Sequence, residues 1–339
     1  MELYPFVSIV IPTRRGSDIL NRCIDSLLKQ DYPADAFEII LVSKEKLGIQ
    51  KKEKISTISG VDFVDARNEG VKNAKGQLIA FVDDDCIMPE DWMSKAVPYF
   101  QDPKVGVIGG PALPFERDEF SYQVGKYLLG SVFTSGFASI RYKLQKSVQE
   151  VQEHGLIAAN NVIRKDVFES VSGFDREQVL SEENDLYFRI KEQGYKLLYV
   201  PEIFVWHRAK PIVLPLLKKV FFYATGRGVL MVRKPKTFRL LYLIPTFFLL
   251  GSVFLPLVSL FFGGVFIVLT FLVFLLYLVL NFLNSLFVFL RYQENPLAGP
   301  LVFFLTPVLH YTYGIGVVYG VYLYLTGRFK EGRRLWTED

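Results

Sequence analysis

The chain is 339 residues long and carries 39 Lys and Arg against 35 Asp and Glu, a net charge of +4; half of it is hydrophobic and 15% is aromatic. That composition excludes a disordered chain, which is poor in aromatics, and is too apolar for an ordinary soluble enzyme, so part of the chain belongs in lipid. Two cysteines, Cys23 and Cys86, cannot build a disulfide framework or a four-thiolate zinc site and read as free thiols of a reducing compartment.

The first 200 residues alternate strand and helix signals. A β-branched run over 6–11 ends in Pro12-Thr13 and reads as a buried strand entering a loop. Helical periodicity follows over 17–30, then a strand at 37–42, a weak strand at 61–64 and a short helix at 68–75. A strand at 78–82, a helix at 90–99 and a strand at 105–108 complete the series. Alternation of this kind predicts an α/β sandwich on a mostly parallel sheet, whose ligands sit at the carboxyl ends of strands. Residues 115–153 are aperiodic and read as an insertion lining a cleft.

Three features carry chemistry. The strand 78–82 ends in Asp83-Asp84-Asp85. Adjacent carboxylates repel one another unless a cation sits among them, and hard oxygens suit Mg²⁺ or Mn²⁺; a solvated acidic turn is the plainer alternative. Glu182-Glu183-Asn184-Asp185 opens a helix that ends at Gly194. Acids there either cap the helix dipole or supply a general base. His207 follows a strand at 196–200; a lone histidine is usually structural, yet an imidazole at a strand end is a good metal ligand.

In order and spacing these pieces resemble the family 2 glycosyltransferases of GT-A fold, in their membrane-anchored prokaryotic form, over about residues 6–208. The run from Val7 to Thr13 matches the family's start. Arg67-Asn68-Glu69-Gly70, Ala74-Lys75-Gly76 and Phe81 to Asp85 match the approach to its DxD motif. Gly173-Phe174-Asp175, the Glu182 to Leu186 run, Gly194-Tyr195 and Val200-Pro201 match the acceptor half, with the ED motif written Glu-Glu. The resemblance implies inverting transfer of a sugar from a nucleotide-diphosphate sugar, helped by Mn²⁺ or Mg²⁺. It implies Asp83, Asp85 and His207 as metal ligands, and Pro12, Thr13, Arg67, Asp83 and Asp84 around the donor. Glu183 takes the base position with Asp185 as runner-up, and Glu182 and Arg227 fall on the acceptor and diphosphate side.

Two departures narrow this. Ser43 stands where members carry the aspartate that reads the nucleotide base, which puts uridine specificity in doubt. The QxxRW motif of processive synthases is absent, Arg333-Arg334-Leu335-Trp336 being no substitute, so transfer of a single sugar is expected over polymerisation. A polyprenyl phosphate acceptor, already ionised, would need no base. Among other classes, a nucleotidyltransferase would need a Gly- and Arg-rich loop of which residues 12–16 are a faint echo. A catalytically dead scaffold would have lost the acids, and a transporter would carry more polar groups in its spans. No nucleic-acid partner is expected, and the oligomeric state is not legible.

The remainder is built for a membrane. No charge occurs among the 51 residues 240–290 or the 32 residues 295–326. At about 20 residues per crossing these hold three helices, near 240–261, 264–290 and 298–325, turning at Gly263-Gly264. No secretory signal precedes the first strand, so the N-terminal part is expected in the cytoplasm. No acid lies between Ile203 and Gln293, and nine of the ten Lys and Arg there precede the first span, the positive-inside pattern. Apolar residues interleave with these bases (Leu216, Leu217, Val220, Phe221), as in an interfacial helix near anionic headgroups or a lipid phosphate. One conflict stands: three crossings would carry the basic residues Arg328, Lys330, Arg333 and Arg334 outside, unless the third segment re-enters or lies in the interface. The expected organisation is a catalytic domain 1–209, a basic interfacial segment 210–239, a transmembrane region 240–326 and a basic tail 327–339, in a multi-pass protein of the cell membrane with a lipid-linked or glycan acceptor.

Overall fold

A computed structural model describes residues 4–49, 53–115, 119–178, 180–208, 211–291 and 295–331; Lys210 and most of the basic tail lie outside them. Its strands are β1 (Val7–Pro12), β2 (Phe37–Val42), β3 (Ile55–Ile58), β4 (Leu78–Val82), β5 (Cys86–Ile87), β6 (Val105–Gly109), β7 (Ala112–Leu113), β8 (Gln149–Glu150), β9 (Asn160–Arg164), β10 (Lys196–Tyr199) and β11 (Val205–His207). Its helices are α1 (Asp18–Leu28), α2 (Phe63–Lys72), α3 (Trp92–Ala96), α4 (Phe120–Gly130), α5 (Val132–Ser135), α6 (Lys165–Ser170), α7 (Glu182–Glu192), α8 (Leu214–Arg233), α9 (Ile244–Phe262), α10 (Gly264–Arg291) and α11 (Ala298–Leu325). The chain divides into two compact units, Met1–Glu116 with Ile140–Arg208, and Arg117–Ser139 with Ala209–Asp339. The division runs through the aperiodic segment 115–153.

The first unit is an α/β domain. Its main sheet has the order β3-β2-β1-β4-β9-β6-β10-β8. β1 lies parallel to β2 and β4, whereas β9 runs antiparallel to both β4 and β6. Both faces are covered, which is why β1 and β4 read as unbroken apolar runs. Val7, Ile9 and Ile11 face one core with Leu20, Ile24 and Trp92; Val10 faces the other with Phe81, Phe168 and Tyr187. The Ala74-Lys75-Gly76 run lies against the start of β1. A Cβ on Gly76 would sit 2.6 Å from the Ser8 amide nitrogen, so only glycine permits that approach.

Two expectations are corrected. The weak strand at 61–64 is instead the entry to α2, with Asp62 as its extended N-cap, and the strand of that region is β3. Ala66, Gly70 and Val71 are buried on one helical face, and that contact with the sheet overrides the local β-branched signal. β9 is a further strand, hidden in the sequence by Asn160 and Asn161, which break its apolar run.

The second unit is helical. Three segments, Leu240–Phe262, Gly264–Arg291 and Ala298–Leu325, are long and apolar enough to cross a membrane, where the uncharged runs put them. α4 and α5 belong to this unit. Ser131 Oγ donates to Asn284 Oδ1 at 2.5 Å, His310 Nε2 lies 3.0 Å from the Phe133 carbonyl, and Asn295 Nδ2 donates to Gln123 Oε1 at 2.8 Å.

Candidate active site

The site forms where β4 ends. β4 stops at Val82 and the chain turns through Asp83-Asp84-Asp85 into β5. β5 pairs antiparallel with β11, which sets His207 opposite Cys86. The pairing joins two segments more than 100 residues apart and brings His207 Nε2 to 3.1 Å from Asp85 Oδ1. The turn into β11 is itself fixed from below: Asn160 Nδ2 donates to the Ile203 carbonyl at 2.7 Å, and Trp92 Nε1 lies between Asn160 Oδ1 and that same carbonyl at 3.0 and 3.2 Å.

The three aspartates diverge. Asp85 faces His207, and ligand atoms of Asp85, Cys86 and His207 lie within 4.8 Å of one another. Asp84 accepts from Thr13 Oγ1 at 2.5 Å, tying the first loop to the acidic turn. Burial pushes the Asp84 carboxyl up to about 6, against the Thr13 hydrogen bond, with Asp85 and Asp83 adding like charge. Asp83 turns to Arg67, whose Nη2 is 2.9 Å away, and stands outside the Asp85–His207 cluster.

The donor set fits a divalent cation. A carboxylate oxygen and an imidazole nitrogen 3.1 Å apart are close enough for one ion to touch both. The buried His207 Nδ1 has no hydrogen-bond partner, so the ring is held at this site through Nε2 alone. The Cys86 thiol is buried and directed at the Ala159 carbonyl at 3.6 Å, leaving oxygen and nitrogen donors that suit Mn²⁺ or Mg²⁺.

Arg67 is the hub of the cleft. Its Nη1 lies 3.4 Å from Glu182 Oε1 while Nη2 holds Asp83, so acids from the two halves of the domain meet across one guanidinium. Its Cζ sits 5.7 Å from the Phe174 ring, over which it is stacked. Asn68, its neighbour on α2, fixes that ring's backbone: Nδ2 donates to the Phe174 carbonyl at 2.8 Å and Oδ1 accepts from the Phe174 amide at 2.9 Å. The Gly173 that precedes Phe174 has φ +65°, the left-handed turn for which glycine is suited.

The acids opening α7 do not share one environment. Ser181 enters the helix in the left-handed region, at φ 59°. Glu182 keeps 30% of its side chain exposed beside Arg67. Desolvation by the surrounding protein and the charge of Glu183 outweigh Arg67 and push its carboxyl up to about 8. Glu183 is buried, with its Oε1 3.4 Å from Arg141 Nη1, and Arg141 also donates to Asn184 Oδ1 and the His154 carbonyl. Asp185 has no exposure and is held 2.7 Å from Arg189 Nε. Glu183 and Asp185, expected as base and runner-up, are each paired with an arginine, and Glu182 is the most open of the three.

Pro12 ends β1, and Thr13 follows it with its hydroxyl on Asp84 of the acidic turn. Arg227 belongs to the second unit, on α8, where it is buried with its Cζ 4.4 Å from the Tyr242 ring. Arg141 and Arg189 were not legible as site residues. Arg189 carries an i,i+4 signal from Asp185 that could have found it; Arg141 lies in the aperiodic segment and carries none.

Residues 8–172 match the family model described as glycosyl transferase family 2. The chain is 26% identical over 247 residues to the glycosyltransferase AglE of Haloferax volcanii, covering 67% of this chain and 74% of that one. It is 23% identical over 262 residues to a dolichyl N-acetyl-α-D-glucosaminyl phosphate 3-β-D-2,3-diacetamido-2,3-dideoxy-β-D-glucuronosyltransferase of Methanococcus voltae, covering 72% and 79%. In fold it is similar to a mannosyltransferase of Pyrobaculum calidifontis solved in complex with GDP-Man and Mn²⁺: TM-score 0.62, 13% identity, 96% of this chain and 88% of that one.

Proposed function

Because the chain carries a family 2 glycosyltransferase domain of GT-A fold, we propose that it transfers a single sugar, with inversion, from a nucleotide-diphosphate sugar to a lipid-linked acceptor at the cytoplasmic face of a membrane. The observation that carries this reading is the pairing of Asp85 with His207 in the same cleft where Arg67 joins Asp83 to Glu182. A divalent cation bound at Asp85 and His207 would supply Lewis-acid stabilisation of the charge that develops on the leaving diphosphate.

The chain's own residues do the rest. Thr13 and Asp84 hold the loop after β1 against the acidic turn, which fixes the floor of the donor pocket. Asp83 is aligned by Arg67 toward the donor. The acceptor hydroxyl forms the new bond to the anomeric carbon as the bond to the diphosphate oxygen breaks, and that electron pair leaves with the nucleoside diphosphate. The hydroxyl proton passes to a carboxylate at the start of α7. Glu182 suits this role by its exposure, whereas Glu183, the base by motif position, is held by Arg141.

A second reading, a polyprenyl phosphate acceptor, is favoured by one observation: the two acids at the base positions are both occupied by arginines, and an ionised acceptor needs neither. The archaeal relative named for a dolichyl-phosphate-linked acceptor and the neighbour solved with GDP-Man and Mn²⁺ support lipid-linked acceptors and metal-assisted donors as the classes to try. The test uses the full chain in liposomes. UDP-, GDP-, CDP- and dTDP-sugars with and without Mn²⁺ are screened by thermal shift, and the donor found is assayed against lipid-linked sugars, polyprenyl phosphate and soluble glycans. Transfer confined to soluble glycans sinks the lipid assignment, and donor binding unchanged by chelation sinks the metal.

A further inference from the structure

The three apolar helices of the second unit are not equivalent. α9 and α10 are apolar and largely exposed, with buried residues confined to Thr246 on α9 and Asn281, Ser285 and Val288 on α10 among the described residues. Leu260, Phe261 and Phe262 at the tip are 81%, 83% and 73% exposed, and Val265, Ile267, Val268, Phe271 and Leu272 continue the surface. A helix that is apolar all round and packed on little protein is one surrounded by lipid. α11 is different. Its exposed apolar residues Phe304, Val308, Ile315, Val318, Tyr322 and Leu325 recur at helical spacing along one stripe. Val302, Thr306, His310, Gly316, Val317 and Gly320 are buried on the other side.

The contacts give the direction of each helix. α9 and α10 run antiparallel: Phe248 stacks on Tyr277 at 4.0 Å, Ser259 meets Thr270 at 2.9 Å, and Phe262 meets Phe266. α10 and α11 run antiparallel: Ser285 Oγ donates to the Gly299 carbonyl, Asn281 Nδ2 to the Phe303 carbonyl, and Tyr277 meets His310. A third crossing in line with these would have to run parallel to α9. It does the reverse. His310 and Tyr311 lie by Phe248, whereas Gly314 lies against Pro245 and Thr246, and Tyr313 shares a cluster with Tyr242 and Leu243, so advancing along α11 moves back toward the start of α9. Three helices that are pairwise antiparallel cannot share one axis; α11 must cross the hairpin obliquely, near Phe248 and Tyr277.

Beyond that crossing α11 packs on α8. A Cβ on Gly316 would lie 2.7 Å from Ala224 Cβ and from the Phe221 carbonyl, and one on Gly320 would run into the Thr225 carbonyl. α8 holds Lys218, Lys219, Arg227 and Arg233 in 20 residues, a content unsuited to the hydrocarbon centre. Distances agree. Fourteen residues separate Phe248 from the tip at Phe262, about 21 Å at 1.5 Å per residue. With the tip at the far edge of a hydrocarbon layer about 30 Å thick, the crossing sits about 9 Å inside the near edge, the depth of an interfacial helix.

We infer that only the α9–α10 hairpin crosses the bilayer, and that α11 lies obliquely in the near leaflet beside α8, with its apolar stripe against lipid and its C-terminal end on the same side as its start. This rests on the membrane reading above and refines it. It also removes the charge conflict, since Arg328 and Lys330 then follow a helix that never leaves the cytoplasmic side.

The test is side-specific labelling of the full chain with a membrane-impermeant maleimide, in intact cells and in inverted vesicles. Cys23 and Cys86 are buried, so the unmodified chain is the background. Lys44→Cys, on the first unit, reports the cytoplasmic side. The expected result is that Thr326→Cys labels with Lys44→Cys in inverted vesicles and that Phe262→Cys labels only from outside. Labelling of Thr326→Cys from outside, or from neither side, overturns the inference. If Phe262→Cys instead labels together with Lys44→Cys, the hairpin does not cross and the inference also fails, through the membrane reading on which it rests. Transfer activity in the same vesicles, which none of the three positions should alter, reports the proposed reaction separately.

Discussion

His207 Nε2 stands 3.1 Å from Asp85 Oδ1, a contact made by the antiparallel pairing of β5 with β11. Two short strands thus do what local sequence cannot: they carry an imidazole across more than 100 residues of chain to the end of β4.

From that contact, Asp85→Ala is expected to abolish Mn²⁺ binding and metal-dependent donor binding. Asp83→Ala should weaken donor binding while retaining most Mn²⁺ affinity, because Asp83 faces Arg67 and not His207. Asp85→Ala relieves repulsion with its acidic neighbours, so its metal-free thermal midpoint should hold or rise, whereas Asp83→Ala removes a partner of the buried Arg67 and should lower it. Manganese titration by electron paramagnetic resonance, with thermal shift in chelator, measures both. Full Mn²⁺ affinity in Asp85→Ala would place the metal elsewhere.

The acids of α7 should separate by function and stability. Glu182→Gln should lower kcat by about 10²–10⁴-fold, the usual contribution of a positioned base, with donor affinity near normal. Asp185→Asn should instead destabilise, by about 3–5 kcal/mol, because it leaves the Arg189 charge uncompensated beside a fully buried position. Glu183→Gln should fall between, loosening Arg141. Normal kcat in all three would point to an ionised acceptor.

Much of this was legible. The strands β1, β2, β4 and β6 were readable because both faces of the sheet are covered, so burial leaves continuous apolar runs. That acids follow β4 and open α7, and that a histidine follows β10, was readable from their order along the chain. What was not readable is pairing over distance. Nothing local tells that Arg141 reaches Glu183, that Asn160 belongs to a strand, or that Asp83 and Asp85 face different partners. The exposure of each α7 acid was not readable for the same reason: it depends on which arginine each carboxylate meets, and Arg67 and Arg141 come from other elements.

Stability should fall with rising pH through the Glu182 titration. Its folded carboxyl is raised to about 8 from an ordinary 4.5, chiefly by desolvation and then by Glu183. A group raised in the folded state adds stability that is complete below the unfolded value and is lost as pH climbs to the folded one. The thermal midpoint of the metal-free protein should therefore drop between about pH 4.5 and about pH 8 and level off above, and Glu182→Gln should flatten that part of the profile. An unchanged slope in the variant would show that Glu182 ionises normally.

Removing everything after residue 209 should fail to give a well-behaved catalytic domain. The reason lies in the segment Arg117–Ser139, which groups with the C-terminal helices although it is flanked on both sides by the first unit. Val124, Leu128 and Leu129 of α4 are buried. Four polar contacts fix the segment to α10, α11 and the turn between them: Ser131 to Asn284, Thr134 to Thr306, the Phe133 carbonyl to His310, and Gln123 to Asn295. Phe133 also packs its ring edge-on to His310, with centroids 5.4 Å apart. Truncation strips all of these partners at once, leaving apolar side chains and unpaired polar groups in a loop that the sheet domain must still carry. Exposed apolar surface of that kind drives association. The expected outcome is a 1–209 fragment that aggregates or is cut by protease within 119–139, whereas the full chain in detergent resists cleavage there. Deleting 117–139 from the fragment and bridging the ends with a short glycine-serine linker should restore solubility. A monodisperse 1–209 fragment with an intact 119–139 segment would show that α4 and α5 hold their structure without the C-terminal helices.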